Sequence, residues 1–133
     1  MAEPIKIVAR YRNGEMVKGT THNFTPSGVS FHVFRIDATP GEQPTVVSLT
    51  ELKAVFFVET FEGDADHDYE TDPDAAVAGR RTTVEFTDGE TMMGGVLQYS
   101  PHLTGFFLFP ADAEGNNKKV FIVNSSVQNV IAA

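Results

Sequence analysis

Two stretches of this chain alternate apolar and polar residues and then break at the same kind of turn. Residues 7–11 read Ile-Val-Ala-Arg-Tyr and residues 82–86 read Thr-Thr-Val-Glu-Phe. Side chains two apart share one face of a strand. Ile7, Ala9 and Tyr11, and later Val84 and Phe86, therefore predict half-buried strands. Asn13-Gly14 follows the first stretch and Asp88-Gly89 the second. These dipeptides are strong hairpin signals and predict type I′ turns, with positive φ at both central positions.

The likeness extends along the whole chain. Sliding residues 8–58 over 83–133, an offset of 89 − 14 = 75, aligns them without a gap. Gly14 meets Gly89, Glu15 meets Glu90, Gly19 meets Gly94, Phe24 meets Tyr99, Phe31 meets Phe106 and Phe34 meets Phe109. A second turn falls at Thr25-Pro26-Ser27-Gly28 and at Ser100-Pro101-His102-Leu103. Folding about it sets Phe24 against Phe31 and Tyr99 against Phe106, aromatic pairs that steady a sheet. Further strands are predicted at 45–49 and 119–123, and at 52–58 and 127–131. Each copy then holds five short strands and no helix of three or more turns. The expected fold is all-β, two tandem five-stranded small barrels related by duplication. Residues 1–60 form the first, 61–79 an acidic linker and 80–133 the second.

Five strands in this order resemble the Sm-like and SH3-like barrels. The pattern is Asn/Asp-Gly, a glycine five residues on at Gly19 or Gly94, then an aromatic at Phe24 or Tyr99. A strand bent round a tight corner favours glycine there. Sm proteins follow the aromatic with an acidic residue and then an Asn. Thr25 and Val29 stand at those places in the first copy, Ser100 and Thr104 in the second. Leu52-Lys53-Ala54-Val55 replaces the Arg-Gly of the second Sm motif. The resemblance thus implies the fold without the RNA-binding residues. LKAVFFVETFEGD (52–64) and GFFLFPADAEGNNKKVFIV (105–123), with the paired Gly-Glu turns, resemble a bacterial family of unknown function. That resemblance implies no activity.

Composition narrows the function. The 133 residues carry a formal charge of −8, which disfavours nucleic acid and anionic membrane as partners. There is no cysteine, so disulfides, thiolate zinc sites and cysteine nucleophiles are excluded. The opening MAEPIKIVAR lacks a basic segment followed by an apolar run, and no signal peptide is expected. A cytoplasmic protein is the expectation.

Residues 59–74 hold eight of the 18 acidic residues and no Lys or Arg. Asp64, Asp66, Asp68 and Glu70 alternate as in a calcium loop, but Tyr69 and Ala75 stand where an EF-hand needs Gly and Glu. A solvated connector fits better. His22 and His32 fall on two sides of the first hairpin, yet two histidines without a spaced carboxylate or cysteine define no metal site. No cofactor or metal is expected.

The stretch NFTPSGVSF (23–31) resembles the cyclic di-GMP turn of PilZ domains. That resemblance assigns nucleotide contacts to Arg10, Arg12, Asn23, Thr25 and Gly28, since arginines grip phosphates bidentately and stack on guanine. Lys6 stands where the first arginine of the motif belongs and Thr25 where its serine does. The plain alternative is a β-turn chosen for its φ angles.

Catalytic signatures are missing: there is no Gly-x-Ser-x-Gly elbow, P-loop or His-Glu-x-x-His, and an enzyme is not expected. Glu15 and Glu90 read as charges that start the returning strands. More informative are the strands GFFLFP and AVFFV, apolar on both faces. A domain of about 50 residues has too little interior to hide both faces alone. Phe34, Phe56, Phe57, Phe107 and Phe109 are therefore candidates for a protein interface, between the two copies or with a partner or second chain. The expected function is a non-enzymatic interaction module, with a PilZ-like sensor as the alternative.

Overall fold

A computed structural model of the protein describes residues 5–26, 28–58, 79–99, 103–110 and 117–132. The first half supplies β1 (Ile5–Tyr11), β2 (Met16–Thr21), β3 (Ser30–Arg35), β4 (Thr45–Ser48) and β5 (Leu52–Val58). The second supplies β6 (Arg80–Phe86), β7 (Thr91–Val96), β8 (Gly105–Pro110), β9 (Asn117–Val123) and β10 (Val127–Ala132). Single 3-10 turns at Leu49–Glu51 and Asn124–Ser126 lead into β5 and β10. Among the described residues there is no α-helix, and the fold is all-β. The acidic stretch, and the 61–79 linker save Gly79, lie outside the described residues.

All ten strands join in one open antiparallel sheet of order β10-β6-β7-β8-β9-β5-β1-β2-β3-β4. The sequence reading anticipates two separate barrels; the ladder instead passes from one half to the other where β5 pairs with β9. Within that sheet the halves repeat each other residue for residue. Adding 75 to every partner in β1–β2, β2–β3, β3–β4 and β1–β5 reproduces β6–β7, β7–β8, β8–β9 and β6–β10. Even the β-bulge recurs: Lys53 is the extra residue between Ala54 and Leu52, and Gln128 the extra residue between Asn129 and Val127.

The first hairpin turn differs in type from the expectation. Within these two turns Gly14 and Gly89 have positive φ, +96° and +91°, while Asn13 and Asp88 do not. Gly14 N–H donates to the Tyr11 carbonyl and Tyr11 N–H to that of Glu15, so a type I turn closes on a glycine bulge. Asn13 keeps negative φ because its side chain works as an acceptor: its Oδ1 takes the Glu15 N–H at 2.9 Å. Asp88 does the same for Glu90.

Gly19 and Gly94 mark the corners. Only two residue pairs join β2 to β3 and two join β7 to β8, and one of each two is made by this glycine. A Cβ there would stand 2.3 Å from the carbonyl oxygen of Phe34 or Phe109, so the crossing backbones leave no room for a side chain.

Two cores result, and both extend across the middle of the sheet. The first gathers Ile7, Phe31, Val33, Val47, Leu49 and Val55; the second gathers Val84, Phe86, Met92, Phe106 and Leu108. Strands β5 and β9 lie between them. Val55 and Phe57 face the first core, while Ala54, Phe56 and Val58 face the second. Phe121 and Val123 cross to the first, and Val120 and Ile122 stay with the second. All seven β5 residues are consequently buried. The doubly apolar strand is explained by two interiors, one against each face.

Candidate functional site

The bulge in β5 aims one polar side chain through the junction. Leu52 turns into the first core, and Lys53 turns toward the second half, with 5% of its surface exposed. Its Nζ lies 2.7 Å from Asp88 Oδ2 and 2.9 Å from Glu90 Oε1, and 4.6 Å from the centre of the Phe86 ring. Arg10 adds a longer contact to Glu90 at 3.9 Å and sits over the Phe56 ring. The Lys53 hydrogen bond holds the Asp88 carboxyl below its usual range, helped by the Glu90 N–H. From the other side, the Ser126 hydroxyl reaches the Lys53 carbonyl at 2.9 Å. A buried ammonium is stable only when paired, and here two half-exposed carboxylates and an aromatic face supply the pairing. This is a structural clasp between the halves.

An aromatic cluster lies behind it. The Phe24 ring stands 5.1 Å from Phe31, 5.4 Å from Phe57 and 5.2 Å from Phe121, each edge to face. Such pairs contribute about 0.5–1.5 kcal/mol beyond their burial. Phe24 and Phe31 thus meet as the turn predicted, and Tyr99 meets Phe106 at 4.9 Å. Lys119 Nζ covers Phe57 and Phe107 at 5.0 and 4.7 Å.

Beside the cluster opens a cleft of about 360 Å³, lined by Leu97, Leu103, Phe106, Phe107, Phe109 and Phe121, with Pro26 from the first half. Leu97 and Leu103 stand at its mouth, 69% and 53% exposed. A second hollow, of about 540 Å³, lies along Glu15, Met16, Lys18, Arg35 and Asp37. Its Arg35 and Asp37 form a bidentate pair at 2.9 Å, and the hydrogen bond from Arg35 lowers the Asp37 carboxyl.

The five phenylalanines singled out by pattern divide. Phe56 and Phe57 are buried at the β5–β9 junction and present nothing outward. Phe107 packs half-buried against the first core, and Phe109 is half-buried in the cleft. Phe34 is exposed and meets the His22 ring edge to face at 5.8 Å. The PilZ-type residues engage separate partners. Arg10 points to Glu90, Arg12 donates to the Thr50 carbonyl at 2.9 Å, and Asn23 contacts His32 and Thr21. Gly28 N–H closes the turn onto the Thr25 carbonyl. Among the described residues there is no group of three or more His, Asp or Glu placed to hold a metal. No helix among them is long and apolar enough to cross a membrane.

Lys53, Leu97 and Leu103 escaped the pattern reading. The signal for Lys53 lay in the differences between copies: Lys53 replaces Gln128 just where Asp88 replaces Asn13. Leu97 and Leu103 likewise stand opposite His22 and Gly28.

A family model described as a family of unknown function (DUF6982) matches residues 3–133, and the chain belongs to that family. No curated protein and no solved structure matches it significantly.

Proposed function

We propose that this protein is a cytoplasmic, non-enzymatic interaction module, scaffold or regulatory in role, whose two halves are Sm/SH3-like units fused edge to edge. Its partner is another protein, which places an apolar side chain in the cleft between Leu97, Leu103 and Phe109. The observation that supports this most is the exposure of Leu97 and Leu103 beside half-buried Phe107 and Phe109. Apolar side chains gathered at a concave mouth gain about 25 cal/mol per Å² when a partner covers them. Charged groups at the junction of the two halves and in the second hollow are engaged in structural pairs, Lys53 with Asp88 and Glu90, and Arg35 with Asp37.

Tagged protein purified from its native cell should bring down one protein in stoichiometric amount. The double variant Leu97→Asp/Leu103→Asp should lose that protein while keeping the wild-type circular dichroism. Retention of the same protein by the variant would contradict the reading, and so would the absence of any stoichiometric companion.

A further inference from the structure

The two ends of the sheet are the counterparts of its middle. Inside the chain, the fifth strand of the first half, β5, pairs with the fourth strand of the second half, β9. The strands left at the ends are β10, fifth in the second half, and β4, fourth in the first. Among the described residues neither has a partner on its outer side. From this we infer that the β10 edge of one chain pairs with the β4 edge of a second copy, repeating the internal junction head to tail. This surface borders the cleft at Phe106, on which Tyr99 packs, and its test reads a different contact.

The register follows from the internal one. Ala54 faces Ile122, Val55 faces Phe121 and Phe56 faces Val120. Adding 75 to the β5 numbers and subtracting 75 from the β9 numbers sets Asn129 opposite Val47, Val130 opposite Val46 and Ile131 opposite Thr45. Side chains at these edges suit that pairing. Phe121 crosses the internal junction into the first core, and its counterpart Val46 is 61% exposed. Phe56 crosses the other way, and its counterpart Ile131 is 51% exposed. Phe24 packs on Phe121 across the junction, whereas its counterpart Tyr99 lies 42% exposed, where Val46 of a second copy would reach it.

The lysine of the polar clasp transposes to an uncharged amide, whereas the Arg10–Glu90 contact becomes Glu85 against Glu15, two carboxylates that weaken the pairing at low salt. Gln128 occupies the bulge that Lys53 occupies in β5, and Asn13 and Glu15 occupy the places of Asp88 and Glu90. An amide opposite an amide and a carboxylate exchanges hydrogen bonds without a buried ammonium. Pro44 precedes β4, and β4 has four residues against seven in β9, so the contact between chains is shorter than the internal one. A head-to-tail contact of this kind uses two different surfaces, and so it builds rings when the rotation closes and filaments when it does not.

Complementation tests the inference. Wild-type chain in sedimentation velocity should gain mass with concentration. Val46→Glu disables the β4 edge and Ile131→Glu the β10 edge; both sites are exposed, so both variants should keep the wild-type melting temperature. Each variant alone should stay monomeric at concentrations where wild type assembles. Mixed, they should form a 1:1 heterodimer and stop, because one live edge remains on each. A wild-type chain that stays monomeric up to about millimolar protein would overturn the inference, as that exceeds the range of specific self-association. Assembly that survives either substitution would also overturn it and would move the contact to the cleft or elsewhere. Variants that abolish assembly but form no mixed dimer would overturn the head-to-tail geometry.

Discussion

Strands β5 and β10 are the same strand written twice, and they live in opposite surroundings. Both pair antiparallel with the first strand of their half, in the same register and with the same bulge. Yet every residue of β5 is buried, while none of β10 is: Val127 and Val130 are half-buried and the rest exposed. The backbone pattern is therefore set by the repeat, and the burial is set by the neighbour. β9 covers the outer edge of β5 and brings a second core against its other face. The residues record this in part: LKAVFFV is apolar on both faces save for its one clasped lysine, and VQNVIA leaves Gln128 and Asn129 in water, with Ile131 and Ala132 exposed beside them.

Equivalent substitutions in the two strands should therefore have unequal effects. The largest contrast is expected between Phe56→Ala and Ile131→Ala, measured by urea unfolding of dilute, monomeric protein. Emptying the Phe56 site should cost about 3–5 kcal/mol, because the cavity opens inside the second core. Trimming Ile131 should change stability by less than about 0.5 kcal/mol. Equal effects would mean that β5 is not the shared strand.

The clasp comes next. Lys53→Met keeps the buried stem but leaves Asp88 and Glu90 without their cation, and should cost about 1–2 kcal/mol, the carboxylates being partly solvated. Gln128→Met, at the equivalent bulge, should be close to neutral in the monomer.

The smallest effect is the acid limb of the stability curve. Asp88 has a depressed folded pKa, so the unfolded chain binds the proton more readily. Its contribution is present above the unfolded value of about 3.9 and is lost as pH falls through the folded one. Asp88→Asn should flatten that limb in pH-dependent denaturation, whereas Asn13→Asp should add only a smaller one, from the Glu15 N–H without the lysine contact that Asp88 has.

Much of this architecture was legible in the residues. Period-two runs placed the strands, the 75-residue offset placed the repeat, and Phe24–Phe31 and Tyr99–Phe106 met as their turn implied. The turn type was misjudged because Asn-Gly serves two hairpins. Positive φ at both residues competes with an asparagine side chain capping the next N–H, and Asn13 takes the second course. The β5–β9 pairing was hidden for a different reason. Apolar residues on both faces report that two interiors exist but not which edge meets which. The cleft was half legible: Phe107 and Phe109 stood out in GFFLFP, but Leu97 and Leu103 flank a turn, where an isolated apolar residue is ordinary.

The shared-strand account is tested most directly by amide hydrogen exchange on dilute monomer, read residue by residue along the two strands. Ala54, Val55 and Phe56 should exchange only through global unfolding, at the slowest rates in the chain, and their counterparts Asn129, Val130 and Ile131 should include amides that exchange orders of magnitude faster from the open edge. Matching protection along β5 and β10, or fast exchange in β5, would contradict it.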